Sequence, residues 1–224
     1  PPSNKQRGPH TQRHTPKKVM TDIRQLDHEL LAPLGSSREA QQYLKEYSGT
    51  NQARFAVVKV GGGILRDHMD ELTSALAFLH RLGLIPVVLH GAGPQLDQAL
   101  TDEGIETERV DGLRVTSEAV MGVARPLMYR ENMRLVDALE AKGIRARGIQ
   151  HGVFQCGVLD REKLGLVGEV EAVELDAIES AVRSGAVPVL TCLGESTAGQ
   201  VLNINADIAT RELVWKLRPH KVIF

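Results

Sequence analysis

The chain has 224 residues, a formal net charge of −1 and an aromatic content of 4%. Its 27 basic and 28 acidic side chains nearly cancel, so no global field draws it to nucleic acid or a membrane surface, and the scarcity of aromatic residues argues against a base-stacking platform. The two cysteines form no C-x-x-C pair, and no apolar run reaches the roughly 18 residues needed to cross a bilayer. With a polar, basic N-terminus that lacks a signal-like apolar core, these features predict a soluble cytoplasmic protein.

Two segments precede the main domain. Residues 1–17 contain four prolines and no Leu, Ile, Val or aromatic side chain, which predicts a disordered tail. Residues 18–50 show helical spacing of apolar residues and a capping signal in which Ser36 is followed by Glu39, so we expect a helical extension. This extension could pack on its own domain or on a neighbouring subunit, and the sequence does not decide between the two.

From residue 51 onward, predicted strands alternate with predicted helices. The expected strands are 55–60, 84–89, 144–149, 153–159, 166–173, 186–192 and 221–224. The expected helices are 67–82, 94–103, 117–142 with Pro126 as a kink or break, 176–184 and a last one ending at Leu217. This alternation predicts an α/β fold, a three-layer sandwich with a mostly parallel central sheet. An apolar strand is an unusual way to end a chain, so we expect more sheet and helix after Phe224.

The first candidate site is the strand Phe55–Val60 with the glycines that follow it. The strand is apolar on both faces except for Lys59, whose ammonium is costly to bury without an anionic partner. Gly61–Gly63 would allow close backbone approach and would expose N–H groups to an anion. The alternative is a plain strand-to-helix turn with Lys59 reaching solvent, and this segment alone does not exclude it.

A second glycine turn, Gly91–Gly93, follows the next strand and also precedes a helix. In parallel sheets the carboxyl ends of the strands share one edge, so both turns should lie together and favour a polyanion. Neither turn is a Walker A sequence, and Arg66 and Leu96 stand where a third Rossmann glycine would be. A dinucleotide-dependent dehydrogenase is therefore disfavoured.

Two further segments carry polar side chains near predicted helix starts. Arg114 lies in a short apolar stretch, where a guanidinium can clamp a carboxylate or can serve as a surface or capping residue. Asn203, Asn205 and Asp207 follow an extended segment, where they can hold an amide, a carboxylate or a lysine, or can only cap the next helix.

Together these motifs resemble the amino acid kinase family, and within it the N-acetylglutamate kinases. The resemblance rests on the order of Lys59–Gly62, His90–Gly93, Gly112–Thr116 and Asn203–Asp207, and it covers about 55–224. Residues 34–44 additionally resemble the leader of enzymes that join such a kinase domain to an acetyltransferase, as in bifunctional N-acetylglutamate synthase/kinases. By this resemblance, 51–224 would be the N-terminal, substrate-binding lobe of a truncated kinase domain.

The resemblance implies phosphorylation of the γ-carboxylate of N-acetyl-L-glutamate by ATP and Mg²⁺ in arginine biosynthesis. The catalytic residues would be Lys59 and Asp207. Lys59 would stabilise negative charge on the transferring phosphoryl group, and Asp207 would orient Lys59. The substrate would be held by Ala92, Gly93, Arg114 and Asn203, and the phosphate by backbone groups of Gly61, Gly62 and Gly91. No residue is assigned to a metal, and His90 is interpreted as part of its loop and not as a general base.

One departure from the family pattern is Ala92, which replaces a glycine and would be strained if it required a positive φ. The nucleotide-binding segments would follow Phe224, so the fragment alone is expected to be inactive. The alternative function is a catalytically inactive, arginine-sensing kinase-like domain that regulates an acetyltransferase. A third interpretation is a kinase acting on aspartate, glutamate or carbamate. We also expect a homo-oligomer and L-arginine as an allosteric ligand.

Overall fold

The computed structural model describes residues 54–224, and the predicted tail 1–17 and helical extension 18–50 lie outside this range. The helices are α1 (Gly62–Asp67), α2 (Met69–Arg81), α3 (Gly93–Asp102), α4 (Glu118–Ala141), α5 (Arg161–Leu164), α6 (Asp176–Arg183) and α7 (Ala206–Leu217). The strands are β1 (Arg54–Val60), β2 (Leu84–His90), β3 (Arg109–Val110), β4 (Leu113–Arg114), β5 (Ala146–Ile149), β6 (Phe154–Val158), β7 (Gly168–Val173), β8 (Val187–Thr191), β9 (Leu193–Glu195), β10 (Val201–Asn203) and β11 (Lys221–Ile223). No helix in this range is long and apolar enough to span a membrane.

The centre of the fold is a five-stranded sheet in the order β11-β1-β2-β8-β5, in which every neighbouring pair is parallel. Val57, Val87 and Leu89 are fully buried on one face, where they join a core that includes Ile178 of α6 and Leu213 of α7. The residues that alternate with them along the strands are buried as well. Helix α2 contacts β2, and helix α4 contacts β8. The fold is therefore α/β with a mostly parallel central sheet, as predicted, and helices cover both of its faces.

A second, mixed sheet was not predicted. It has four short strands in the order β10-β9-β6-β7. The predicted strand 186–192 ends at Thr191, and the chain enters this second sheet at Leu193. Between the two sheets, the Cys192 carbonyl accepts a hydrogen bond from the N–H of Ile204 at 3.0 Å.

One helix begins differently from its prediction, and another continues through the proline at which a kink or break was expected. The helix expected over 67–82 is preceded by the short α1, which begins directly at Gly62 and ends before His68, where ψ is 37°. Helix α4 runs unbroken through Pro126, so this proline neither ends nor divides it. The Ser117 hydroxyl caps α4 by accepting from the N–H of Val120 at 3.2 Å, which satisfies one of the donors that a helix start leaves free.

Candidate active site

The two glycine turns lie side by side at the carboxyl edge of the central sheet. Val60 at the end of β1 is in register with His90 at the end of β2, and the N–H of Gly91 donates to the carbonyl of Val60 at 3.0 Å. Each turn leads at once into a helix, α1 at Gly62 and α3 at Gly93. The parallel sheet therefore brings both sets of loop amides to one edge, as the sequence predicted.

Only one glycine of the two turns is required by close packing. A Cβ on Gly62 would lie 2.9 Å from both the Cα of Ala92 and the nitrogen of Gly93, whereas Gly61, Gly63 and Gly93 have open space around them. The two turns are thus in direct contact at Gly62. This contact is reinforced by Gln95, a residue that the sequence analysis did not single out, whose Nε2 donates to the Gly62 carbonyl at 2.8 Å.

Ala92 fits its turn without strain. Its φ is −144° and its ψ 37°, so the backbone does not enter the left-handed region that favours glycine. Its carbonyl accepts a hydrogen bond from the N–H of Leu96 at 2.9 Å, at the start of α3. The replacement of a glycine by alanine in this turn therefore has no backbone cost.

Lys59 meets its anionic partner at Asp207. The Nζ of Lys59 lies 2.9 Å from Oδ1 of Asp207, and the two side chains are 24% and 68% exposed. Asp207 is the second residue of α7, and Asn205 caps that helix by accepting from the N–H groups of Asp207 and Ile208 at 2.8 and 3.2 Å. The capping alternative therefore applies to Asn205, while Asp207 forms an ion pair.

Arg114 is the most deeply buried charged group of the site, with only 5% of its side chain exposed. It lies on the β3–β4 hairpin, directly opposite Arg109, and its Nη2 donates to Oδ1 of Asp97 on α3. The hairpin turns through Asp111 and Gly112, whose φ values are 51° and 81°. Gly112 is therefore the glycine of this motif that the backbone requires.

A hydrogen-bonded chain joins Asn203 to Arg114. The Nδ2 of Asn203 donates to Oγ1 of Thr116 at 3.1 Å, and that hydroxyl donates to the carbonyl of Arg114 at 2.9 Å. Thr116 is fully buried. It belongs to the Gly112–Thr116 motif, but its linking role could not be inferred before the two segments were seen together.

These groups border a cleft of about 190 Å³. It is lined by the turn residues Gly91, Ala92 and Gly93 and by the polar residues Arg114, Asn203 and Asp207, and its apolar lining residues include Leu96, Ala124, Met128 and Ile204. Within the described part of the chain, Lys59, Gly61 and Gly62 lie outside this lining, and Lys59 is joined to it through Asp207. The cleft thus combines an anion-binding side chain, loop amides and an apolar wall, which suits a small carboxylate with an apolar portion.

His90 is the last residue of β2 and directly precedes the second glycine turn. It is fully buried, and burial lowers its pKa from 6.5 to about 4, so its ring is neutral at physiological pH. The Nδ2 of Asn132 on α4 lies 3.1 Å from Nε2 of His90 and 2.9 Å from the carbonyl of Val189. Because an amide nitrogen only donates, Nε2 accepts, and the ring proton is assigned to Nδ1, which lies 3.4 Å from the Gly91 carbonyl.

Cys192 also lines the cleft, but burial raises the pKa of its thiol to about 12. The pKa of the Cys156 thiol, buried at the second sheet, is raised to about 11 for the same reason. A thiol with such a pKa is almost entirely protonated near neutral pH and is a poor nucleophile. Between residues 54 and 224, no group of three or more His, Cys, Asp or Glu side chains is arranged to hold a metal ion.

Two curated relatives match this chain over most of its length. Acetylglutamate kinase of Xanthomonas campestris pv. campestris is 51% identical over 191 residues, which are 85% of this chain and 45% of that protein. Protein ARG5,6, mitochondrial, of Candida albicans is 46% identical over 196 residues, which are 88% of this chain and 23% of that protein. The chain therefore spans less than half the length of either relative.

A solved structure of N-acetylglutamate synthase from Neisseria gonorrhoeae, complexed with coenzyme A and N-acetyl-glutamate, superposes with a TM-score of 0.71. It is 23% identical and covers 83% of this chain and 43% of that one, so this likeness concerns the fold. The family model of the amino acid kinases matches residues 54–224, the whole of the described α/β unit. This chain belongs to the amino acid kinase family.

Proposed function

We propose that the protein is an N-acetyl-L-glutamate 5-phosphotransferase and that this chain supplies its acceptor-binding cleft. The observation that carries the proposal is the cleft itself, where Arg114, Asn203 and the Gly91–Gly93 turn line one cavity with Asp207, the partner of Lys59. Membership of the amino acid kinase family and the acetylglutamate kinases among the relatives support this choice of reaction.

Arg114 is suited to bind the α-carboxylate of the acceptor. A guanidinium presents five N–H donors in a planar fork, and Asp97 engages only one of the two terminal nitrogens. Asn203 lies next to it, linked through Thr116, and can donate to a carboxylate or accept from an amide N–H. The apolar wall at Leu96, Ala124 and Met128 would face the apolar parts of the acceptor.

Lys59 is suited to the phosphoryl-transfer step. In this reaction an oxygen of the γ-carboxylate attacks the γ-phosphorus of ATP, the bond from that phosphorus to the β,γ-bridging oxygen breaks, and an acyl phosphate and ADP result. Negative charge on the transferring group would be stabilised by the Lys59 ammonium and by the amides of Gly61 and Gly62. The predicted phosphate contact at the Gly91 amide is not retained, because that N–H donates to the Val60 carbonyl at 3.0 Å. Asp207 would hold the ammonium in place through the ion pair at 2.9 Å.

No general base is required for this reaction. A carboxylate acceptor is already ionised at neutral pH, so no proton has to be removed from it. This agrees with the state of His90, which is buried, neutral and engaged with Asn132 and its own loop. Mg²⁺ would enter bound to ATP, as part of the phosphoryl-donor substrate.

The test uses the protein expressed from its complete reading frame, with N-acetylglutamate, MgATP and hydroxylamine. An acyl phosphate is trapped by hydroxylamine as a hydroxamate, so we expect hydroxamate and ADP in equal amounts. Glutamate, aspartate and carbamate serve as competing acceptors, and a preference for one of them would replace the proposed substrate. ATP binding in calorimetry without any transfer would instead favour the arginine-sensing regulatory domain.

Three properties remain predictions from the sequence. They are L-arginine as an allosteric ligand, assembly as a homo-oligomer, and a cytoplasmic location. Titration with arginine during the hydroxamate assay, light scattering and cell fractionation would address them in that order.

A further inference from the structure

Asp97 on α3 is placed between the two arginines of the β3–β4 hairpin. Its Oδ1 accepts from Nη2 of Arg114, and its Oδ2 lies 3.6 Å from Nη2 of Arg109. The carboxylate is about half exposed, as is Arg109, whereas Arg114 is buried. One carboxylate thus joins a helix that begins at the second glycine turn to both strands of the hairpin.

The burial of Arg114 makes this carboxylate important. A guanidinium that leaves water loses its hydration free energy, and it remains in place only if a counter-charge and hydrogen bonds compensate. Its backbone is anchored separately, since the Arg114 carbonyl accepts from the Thr116 hydroxyl at 2.9 Å. Asp97 therefore controls the side-chain end of Arg114 while Thr116 controls the main-chain end.

The charges in this cluster favour an incoming anion. Arg109 and Arg114 contribute two positive charges and Asp97 one negative charge, which leaves a formal charge of +1 beside the cleft. Because Asp97 engages one terminal nitrogen of Arg114, the remaining edge of the fork is available to a second carboxylate. Asp97 can then remain bound while a ligand occupies that edge.

We propose that Asp97 is a positioning residue for carboxylate recognition, because it holds the Arg114 guanidinium in the orientation that receives the ligand's α-carboxylate. This inference rests on the proposed function for the identity of the ligand. It assigns Asp97 no contact with the substrate or with the reacting atoms. A purely electrostatic view makes the opposite prediction, since removal of an anion near the site would strengthen the binding of another anion.

The test compares Asp97→Ala, Asp97→Asn and the control Asp102→Ala in the native full-length protein. Asp102 is on the same helix and accepts a hydrogen bond from Gln98 on the surface. We expect Asp97→Ala to raise the KM for N-acetylglutamate by about tenfold or more, the usual scale for an unpaired partner of a buried charged group, with kcat and the KM for ATP within about twofold. Asp97→Asn keeps an acceptor oxygen but lacks the counter-charge, so its KM should rise by less than that of Asp97→Ala, and Asp102→Ala should change neither constant.

A double-mutant cycle with Arg114→Ala separates positioning from a general structural effect. If Asp97 acts through Arg114, adding Asp97→Ala to Arg114→Ala will produce no further rise in KM. The penalty should also vanish for the analogue in which the α-carboxylate is an α-carboxamide. An unchanged or lowered KM in Asp97→Ala, or additive effects in the cycle, would overturn the proposal.

A binding measurement and a replacement variant distinguish a failure of the Asp97 proposal from a failure of the proposed function. If the native protein transfers no phosphoryl group, the proposed function fails, and calorimetric binding of N-acetylglutamate to the native protein and to Asp97→Ala still decides the role of Asp97. No binding by the native protein would overturn both. If Asp97→Ala does not fold, Asp97→Glu replaces it, because a carboxylate displaced by one methylene must also raise the KM.

Discussion

The polar groups around the cleft fall into two kinds that differ in burial. The ion-pair end, Lys59 with Asp207, is partly exposed, and such a pair contributes little to folding because water screens it. The buried polar groups, Arg114, Thr116 and His90, are almost inaccessible and hydrogen-bonded on several sides. We infer that mutations at the ion-pair end will affect catalysis, whereas mutations of the buried groups will also change stability.

The largest expected effect is at Lys59. Lys59→Ala should lower kcat by about 10³-fold, because it removes the ammonium that stabilises charge on the transferring phosphoryl group. The free energy of unfolding should change by less than about 1 kcal/mol, since the ion pair is partly exposed. Hydroxamate assays and urea unfolding measure the two quantities, and native turnover or a large loss of stability in this variant would contradict the comparison.

The next effect concerns His90 and pH. Its pKa is about 4 in the folded protein against about 6.5 when exposed, so the unfolded chain binds a proton that the folded chain excludes. Stability should therefore be unaffected by His90 above pH 6.5 and fall as the pH drops toward 4, by about 3 kcal/mol in total. Urea unfolding of the native protein and of His90→Gln between pH 7 and 4 isolates this contribution, because the variant lacks the titrating ring. Parallel pH curves for the two proteins would show that His90 does not cause the loss.

A third prediction tests the contact between the two glycine turns. Gly62→Ala should destabilise the protein by about 1–3 kcal/mol and lower turnover, because its Cβ would lie 2.9 Å from the backbone of Ala92 and Gly93. Gly63→Ala is the matched control, since nothing lies within 4 Å of its Cβ and alanine favours the helix. Equal unfolding midpoints for the two variants would argue against close packing at Gly62.

The smallest expected effect is at Thr116. Thr116→Val keeps the shape but leaves the Asn203 amide and the Arg114 carbonyl without their shared hydroxyl, which should cost about 1–2 kcal/mol. Thr116→Ser retains the hydroxyl and should recover most of this loss. Thermal or urea unfolding of the three proteins gives the comparison, and a Val variant as stable as the native protein would remove Thr116 from the buried network.

Much of the fold could be predicted because its signals are local. Strands β1 and β2 are continuous apolar runs ended by glycines, and the register of their pairing places both turns at one edge. Strands β6 and β7 were predicted, but their separate sheet was missed, because β9 and β10 have only three residues each and β9 pairs with the distant β6, at Glu195 and Gln155. Such strands have little periodicity of their own.

The sequence alone determined which residue types were available to the site: a lysine inside an apolar strand, glycines at two strand ends, and an arginine and asparagines before helices. Only the tertiary structure decided their partners. Lys59 meets Asp207 across about 150 residues of chain, and Arg114 meets Asp97 because α3 packs beside the β3–β4 hairpin. Gln95 and Asp97 carry no sequence signal, because their importance comes from what they contact and not from any local pattern. The physical reason is that backbone preference is local, whereas burial and charge pairing depend on which segments the sheet brings together.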